Sequence, residues 1–264
     1  MNKNLTIGII GLGRFGGLLA SILSRHVKVL VYNLNQEGLA ERAKKIGFEV
    51  ASLAEVSQSD IVIATVPISS TEDLIKEVAP MMRPGSLLLD ICSVKVMPCQ
   101  WLKQHAPDNI EIMGTHPMFG PVTAKYDYEQ QAFTLEGLQI VLCPLRISDE
   151  RLEKIKSFLA GLGLEVIVTT PEDHDEQNAI TLSLVHFLGR SLKEAGIGEQ
   201  RIFTPGFSNL LKIYEHTISD DWQLFLDMNN YNPYAKEVRQ RFMDACQTVN
   251  EKIREDYEHT FQKN

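Results

Sequence analysis

Up to about residue 168 the chain alternates two kinds of segment, and this alternation limits its fold more than any other feature. The runs "LTIGII", "VKVLVY", "DIVIAT", "SLLLDI", "IEIMG" and "LQIVLC" are short and apolar throughout. Such runs are the mark of strands buried on both faces, as in a parallel sheet. Between them lie amphipathic stretches such as "RFGGLLASILSR" and "STEDLIKEVAPMM", the latter stopped by Pro84 and Gly85. Strand, helix, strand in regular succession implies an α/β fold with a doubly wound parallel sheet of the Rossmann type.

After Pro171 the strand signal ends. "PEDHDEQNAITLSLVHFLGRSLKEAG" opens with proline and acids, continues with apolar periodicity and closes at Gly196, which predicts a capped helix. "PGFSNLLKIYEHTI", "DDWQLFLDMNNYN" and the segment from Pro233 to the end read as further helices. The expected organisation is a dinucleotide-binding domain over residues 1–169 and a smaller all-helical domain over 170–264. The helical part carries large apolar faces, including Phe187, Phe207, Leu211 and Trp222. A homodimer through these helices would bury them; completion of a single monomeric core is the alternative.

Composition narrows the function classes. Net charge is −8 with a pI near 5.4, and no run of lysine and arginine could track a phosphate backbone. Nucleic acid is not expected as a partner. No stretch approaches the roughly 18 uncharged apolar residues of a membrane span, and the first apolar residues run into a glycine pattern without a cleavage site, so a cytoplasmic protein is expected. The four cysteines form no C-x-x-C pair, so neither a metal site nor a disulfide framework is expected.

Directly after the first strand comes "GLGRFG". Gly11 would permit the tight turn, Gly13 the approach of a pyrophosphate to the backbone, and Gly16 close packing of helix on strand. With Arg14 and Phe15 these residues are the expected cofactor seat. The second strand ends in Asn33, followed by Leu34 and Asn35, where an NAD site ordinarily places a carboxylate for the ribose. An amide there removes repulsion against a 2′-phosphate, so NADP is preferred over NAD as the expected cofactor. Arg14 is the obvious nearby cation. "TVPISSTED" follows the fourth strand, where Pro67 and Ser69 would shape the nicotinamide side; the same residues also read as a helix N-cap.

Two more segments end strands on the same edge. "DICSVK" carries Ser93 and Lys95, and "GTHPMFGP" carries His116 in a stretch that reads as neither helix nor regular strand. The prolines fix the backbone so that the imidazole is presented to the crevice.

These two segments, followed by "PEDHDEQNAITLSLVHF", resemble the prephenate and arogenate dehydrogenases of tyrosine biosynthesis, in the same order and over nearly the whole chain. "GFSNLLKIYEHTISDDWQLFLDMNNYNPYA" is most similar to the plant-type arogenate enzymes. The resemblance implies oxidative decarboxylation of arogenate or prephenate with hydride transfer to NAD(P). It implies that His116 takes the proton of the 4-hydroxyl, that Ser93 hydrogen-bonds the same hydroxyl or the imidazole, and that His186 lines the substrate pocket. Neutral histidine suits the first role. Lys95 would either add positive potential for the substrate or orient its loop. His174 has a counterpart in the family, and its place in a helical first turn suggests a cap or hinge.

Asp220 falls where plant-type relatives have an aspartate that would favour the ammonium of arogenate; Asp220 or the adjacent Asp221 could instead cap the next helix. Two positions depart from the family pattern. Ser208 stands where bacterial enzymes carry an arginine for the side-chain carboxylate, leaving Lys212 and Arg190 as substitutes, and Leu182 replaces a pocket glutamine. Two rival readings are a β-hydroxyacid or imine dehydrogenase of similar architecture and a non-catalytic NADP-binding sensor.

Overall fold

The computed structural model describes residues 5–121, 123–127 and 132–261. The chain divides into two units, the first running to His174 and the second from Asp175.

The first unit is built on an eight-stranded sheet. Its elements are β1 (Thr6–Ile10), α1 (Arg14–Leu23), β2 (Lys28–Tyr32), α2 (Leu39–Ile46), β3 (Glu49–Val50), α3 (Leu53–Ser57), β4 (Ile61–Ala64) and α4 (Ile68–Val78). There follow a 3-10 turn (Ala79–Met81), β5 (Leu87–Asp90), α5 (Val96–His105), β6 (Glu111–Pro117), a small hairpin of β7 (Lys125–Asp127) and β8 (Ala132–Thr134), β9 (Gln139–Arg146), α6 (Asp149–Gly161) and β10 (Glu165–Val168). The strand order is β10-β9-β6-β5-β4-β1-β2-β3. Each of the six apolar runs read from the sequence forms a strand of this sheet.

Two strand features differ from the sequence reading. β9 runs antiparallel to β6, and β10 follows β9 in parallel, so the sheet is mostly rather than wholly parallel. An apolar run looks the same in either direction, which is why orientation was not legible. Gly114 to Pro117 are regular strand, paired with Cys143 to Ile140 of β9. Pro117 closes the strand, where its missing N–H costs least.

Burial explains the apolar runs. Ile9, Val31, Leu87 and Leu142 are all fully buried, and the core they form includes Leu18 and Ile22 of α1 with Leu39 of α2. Each such side chain contributes about 1.5–3 kcal/mol when removed from water.

The second unit is helical. α7 (Pro171–Asn178) crosses the division between units and passes through a π-helical stretch (Ala179–Leu184) into α8 (Val185–Glu194). It continues through α9 (Pro205–Ile218), α10 (Trp222–Asn230) and α11 (Ala235–Phe261). The last three residues of the terminal helix expected from the sequence lie outside the described residues. α8 packs on α9 at Gly189, where a β-carbon would stand 1.8 Å from Thr217 Oγ1. Only glycine permits that approach. Among the described residues no strand follows β10, and no helix is long and apolar enough to cross a membrane.

Candidate active site

The parallel strands β1, β4 and β5 end in register, with Ile10 beside Ala64 and Ala64 beside Asp90, while β6 passes Asp90 at Gly114 and runs on to Pro117. The segments that follow them therefore share one edge. From β1 the chain moves outward through β2 and β3 in one direction, and from β4 through β5 and β6 in the other. The reversal between β1 and β4 is the switch point at which open α/β sheets bind ligands.

The glycine loop sits there. Gly11 has φ +104°, a left-handed conformation that L side chains avoid, and a β-carbon on it would meet the Thr65 carbonyl at 2.8 Å. On Gly16 it would meet the Gly11 carbonyl at 2.3 Å, whereas on Gly13 it would meet nothing within 4 Å. Turn, open approach and close packing thus fall on the three glycines as expected. Gly13 caps α1 without a side-chain acceptor, and no acid lies in the first turn, so the positive end of α1 suits an anion. This cradle fits the pyrophosphate of a dinucleotide.

Asn33 is tied to the loop. Its Oδ1 accepts from the Leu12 N–H at 2.7 Å and its Nδ2 donates to the Asn35 carbonyl at 2.6 Å. Arg14 is exposed, Phe15 packs on Phe119 with ring centres 5.9 Å apart, and Pro67 is exposed at the end of β4. Pro67 is itself the N-cap of α4 and supplies no side-chain cap. A second cation, which the sequence does not mark, reaches the loop. Arg42, on α2, donates from Nη1 to the Leu12 carbonyl at 2.9 Å. Its signal was weak because the helix returns it to the loop from well beyond Asn33.

At the other end of the edge, Ser93 is half-buried after β5 and His116 is buried at the end of β6. His116 Nδ1 lies 2.8 Å from His174 Nε2, and both rings are buried. His174, expected as a cap or hinge, is in contact with the imidazole that the sequence singled out. Burial, then the neighbouring His174 and Lys95, hold His116 well below the usual histidine range, so it is neutral at neutral pH.

Lys95 has no exposed surface. Its ammonium pairs with the Asp90 carboxylate and donates to the Thr115 carbonyl at 2.6 Å. Burial opposes the charge but Asp90 outweighs it, and Lys95 is pushed up to about 12. Of its two expected roles, this geometry favours orienting the strand that carries His116 over contacting substrate. A groove of about 820 Å³ lined by α1 and α2 includes neither His116 nor Ser93 and is not the reaction site.

In the second unit, His186 and Arg190 lie one turn apart on α8, hence on one face. His186 Nε2 is 3.8 Å from Asp220 Oδ2, and its Nδ1 is buried with no hydrogen-bond partner among the described residues. Burial pushes His186 down to about 4 despite Asp220, so the contact is not an ion pair at neutral pH. Arg190 lies over the rings of Trp222 and Phe225, at 4.9 and 5.0 Å, and donates to the Asp220 carbonyl at 2.6 Å. Asp221, not Asp220, caps α10, accepting from Gln223 N–H at 2.6 Å. Lys212 is exposed, 3.4 Å from Asn209 Oδ1, while Ser208 and Leu182 are half-buried. Among the described residues no group of three or more His, Cys, Asp or Glu side chains is placed to hold a metal ion.

Sheet, switch point and glycine loop define a doubly wound protein of the dinucleotide-binding class with a helical second unit. Residues 19–168 match the family model "Prephenate dehydrogenase, nucleotide-binding domain", and residues 191–264 match "TYRAAT1-like, C-terminal domain". The "Probable arogenate/prephenate dehydrogenase" of Methanocaldococcus jannaschii is 34% identical over 96% of this chain and 58% of its own length. "Arogenate dehydrogenase 2, chloroplastic" of Arabidopsis thaliana is 30% identical over 94% of this chain and 70% of its own length. The chain thus spans little more than half of the first relative. The fold is shared with the crystal structure of prephenate dehydrogenase from Aquifex aeolicus in complex with hydroxyphenyl propionate and NAD+, at TM-score 0.77 and 22% identity, covering 98% and 94% of the two chains. The chain belongs to the prephenate dehydrogenase family.

Proposed function

We propose that the protein catalyses the oxidative decarboxylation of arogenate, or of prephenate, with a nicotinamide cofactor seated on the glycine loop. The observation that carries this reading is His116: a buried, neutral imidazole at the carboxyl edge of the sheet that holds the glycine loop. The bound nicotinamide would accept the hydride that leaves C4 of the substrate ring. His116 takes the proton of the 4-hydroxyl as the C4–H bond breaks. Carbon dioxide then leaves from C1, its bond pair aromatises the ring, and the proton returns to the phenolic oxygen. Ser93 hydrogen-bonds the reacting hydroxyl. Gly11, Gly13 and Gly16 seat the pyrophosphate, with Arg14, Phe15 and Pro67 beside it.

NADP is the preferred cofactor, since Asn33 carries no charge to repel a 2′-phosphate and Arg14 and Arg42 add positive potential near the loop. On the substrate, Asp220 pairs with the ammonium of arogenate, and His186 contacts the side chain. Arg190 is a better candidate than Lys212 for the side-chain carboxylate, because its guanidinium is held beside Asp220 while Lys212 is in solvent.

The protein acts as a homodimer through its C-terminal helices. Val238, Phe242, Cys246, Val249, Ile253 and Tyr257 recur at three- and four-residue spacing on α11, and the outer part of this stripe is open to solvent. Light scattering of the purified protein tests that assembly.

The reaction is tested by following reduced nicotinamide with arogenate and with prephenate, each against NAD and NADP. Turnover of arogenate with NADP is expected. Turnover of prephenate alone would remove Asp220 from substrate recognition, and silence in all four mixtures would favour a cofactor-binding protein without catalysis.

A further inference from the structure

The contact between His116 Nδ1 and His174 Nε2, at 2.8 Å with ring centres 5.1 Å apart, constrains where protons lie. A hydrogen bond between two imidazole nitrogens needs one proton between them. If His116 Nδ1 carries it, His116 Nε2 is a bare lone pair and can accept a proton from substrate. If His174 Nε2 carries it, a neutral His116 must hold its own proton on Nε2 and cannot act as a base.

We propose that His174 is a positioning residue, which keeps His116 in the Nδ1–H form with its Nε2 lone pair free for the substrate proton. The inference rests on the reading of His116 as the proton acceptor. The bond from Nδ1–H to His174 fixes the tautomer and the ring orientation, as outer partners of functional histidines do. The partner is an imidazole, so it orients the base without fixing a negative charge beside it. A carboxylate in its place would raise the basicity of His116 and leave it protonated over more of the pH range.

The surroundings support that division of labour. From β5 and the start of α5 come Asp90 and Lys95, already paired with each other, and Lys95 also holds the carbonyl of Thr115 next to His116. From α7 comes His174. β9 meets this part of β6 with Val141 and Cys143, neither of them charged. His174 is thus the neighbour that can exchange a proton with His116 Nδ1, and its ring is held by burial at the start of a helix.

The test uses the full chain with His174→Leu, His174→Gln and His174→Glu. His174→Leu is expected to lower kcat about 10- to 100-fold, the usual cost of losing an orienting partner, with KM and cofactor affinity little changed. His174→Gln is expected to recover most of that loss, because its Oε1 can accept from Nδ1–H. His174→Glu is expected to move the acidic limb of kcat/KM to higher pH by about one unit or more. A leucine variant with unchanged kcat would overturn the proposal, as would a glutamine variant no better than leucine, or an acidic limb that stays in place.

Nitrogen NMR of histidine-labelled protein gives a readout independent of turnover. His116 should show a protonated Nδ1 and a bare Nε2 in the wild type, and lose that preference in His174→Leu. Protonated Nε2 in the wild type would overturn the proposal even in an active enzyme. Absence of turnover with either substrate, with the Nδ1–H form intact, would count instead against the assigned reaction.

Discussion

Lys95 and Asp90 form an ion pair with neither side chain exposed, and the same ammonium holds the carbonyl of Thr115, the residue before His116. Removing one member of such a pair leaves a buried charge, which costs about 3–5 kcal/mol, whereas replacing both by apolar groups of similar volume is often neutral. Lys95→Ala should therefore lower the unfolding free energy by that amount, and the double variant Asp90→Leu/Lys95→Met should recover most of it. Urea denaturation followed by circular dichroism measures both. A single variant within about 0.5 kcal/mol of wild type, the range of ordinary surface changes, would show that the pair stabilises nothing.

The fate of Lys95 illustrates what sequence could and could not disclose. The strands, the glycine loop and the helices after Pro171 were legible because each depends on local periodicity and on residues close in the chain. Ser93, Lys95 and His116 were legible as strand-end residues, but the inward commitment of Lys95 was not, since it depends on Asp90 and Thr115 meeting across two strands. The partner of His174 was not legible for the same reason: it is 58 residues away. Arg42 and the antiparallel course of β9 are further cases, because periodicity reports burial and not direction or long-range contact.

The cofactor seat gives a second prediction. Asn33 Oδ1 already accepts from Leu12 N–H, so aspartate can keep that bond while placing a charge at the end of β2. Asn33→Asp should shift the ratio of kcat/KM values towards NAD by about tenfold or more, the scale of about 1.4 kcal/mol. Arg42→Gln should weaken NADP more than NAD. Cofactor titrations with both variants decide the matter, and equal effects on the two cofactors would exclude a 2′-phosphate contact at this end.

His116 and His186 are both held below the usual histidine range, chiefly by burial. Above the unfolded value of about 6.5 neither the folded nor the unfolded chain binds a proton at these sites, and the two groups leave stability unchanged. As pH falls below that value the unfolded chain takes up protons that the folded chain refuses. Stability should therefore drop from about pH 6.5 downward, and the His186 contribution should level off near its folded value of about 4. Each pH unit in that window costs up to about 1.4 kcal/mol per histidine. The lowered carboxylates, such as Asp60, act only in more acidic solution. Melting temperatures between pH 7.5 and 5 should fall less steeply in His186→Gln than in wild type; parallel curves would mean that His186 titrates normally when folded.

Asp220 and Asp221 are adjacent and equal in charge, yet the structure gives them different work. Asp221 accepts the Gln223 N–H as the cap of α10, whereas Asp220 directs its carboxylate towards His186. Asp221→Ala should cost about 1 kcal/mol of stability, as a lost N-cap does, with the choice between arogenate and prephenate unaltered. Asp220→Asn should leave folding almost unchanged while removing the charge proposed to pair with the substrate ammonium. A hydrogen bond to a charged group contributes about 1.5–3 kcal/mol, so kcat/KM for arogenate should fall roughly 10- to 150-fold. Prephenate, which has a ketone there, should be turned over as well as before or better. Steady-state assays of the two variants with both substrates separate these roles, and an Asp220→Asn enzyme that loses both substrates equally would place Asp220 in the architecture of the α9–α10 turn and not in selection.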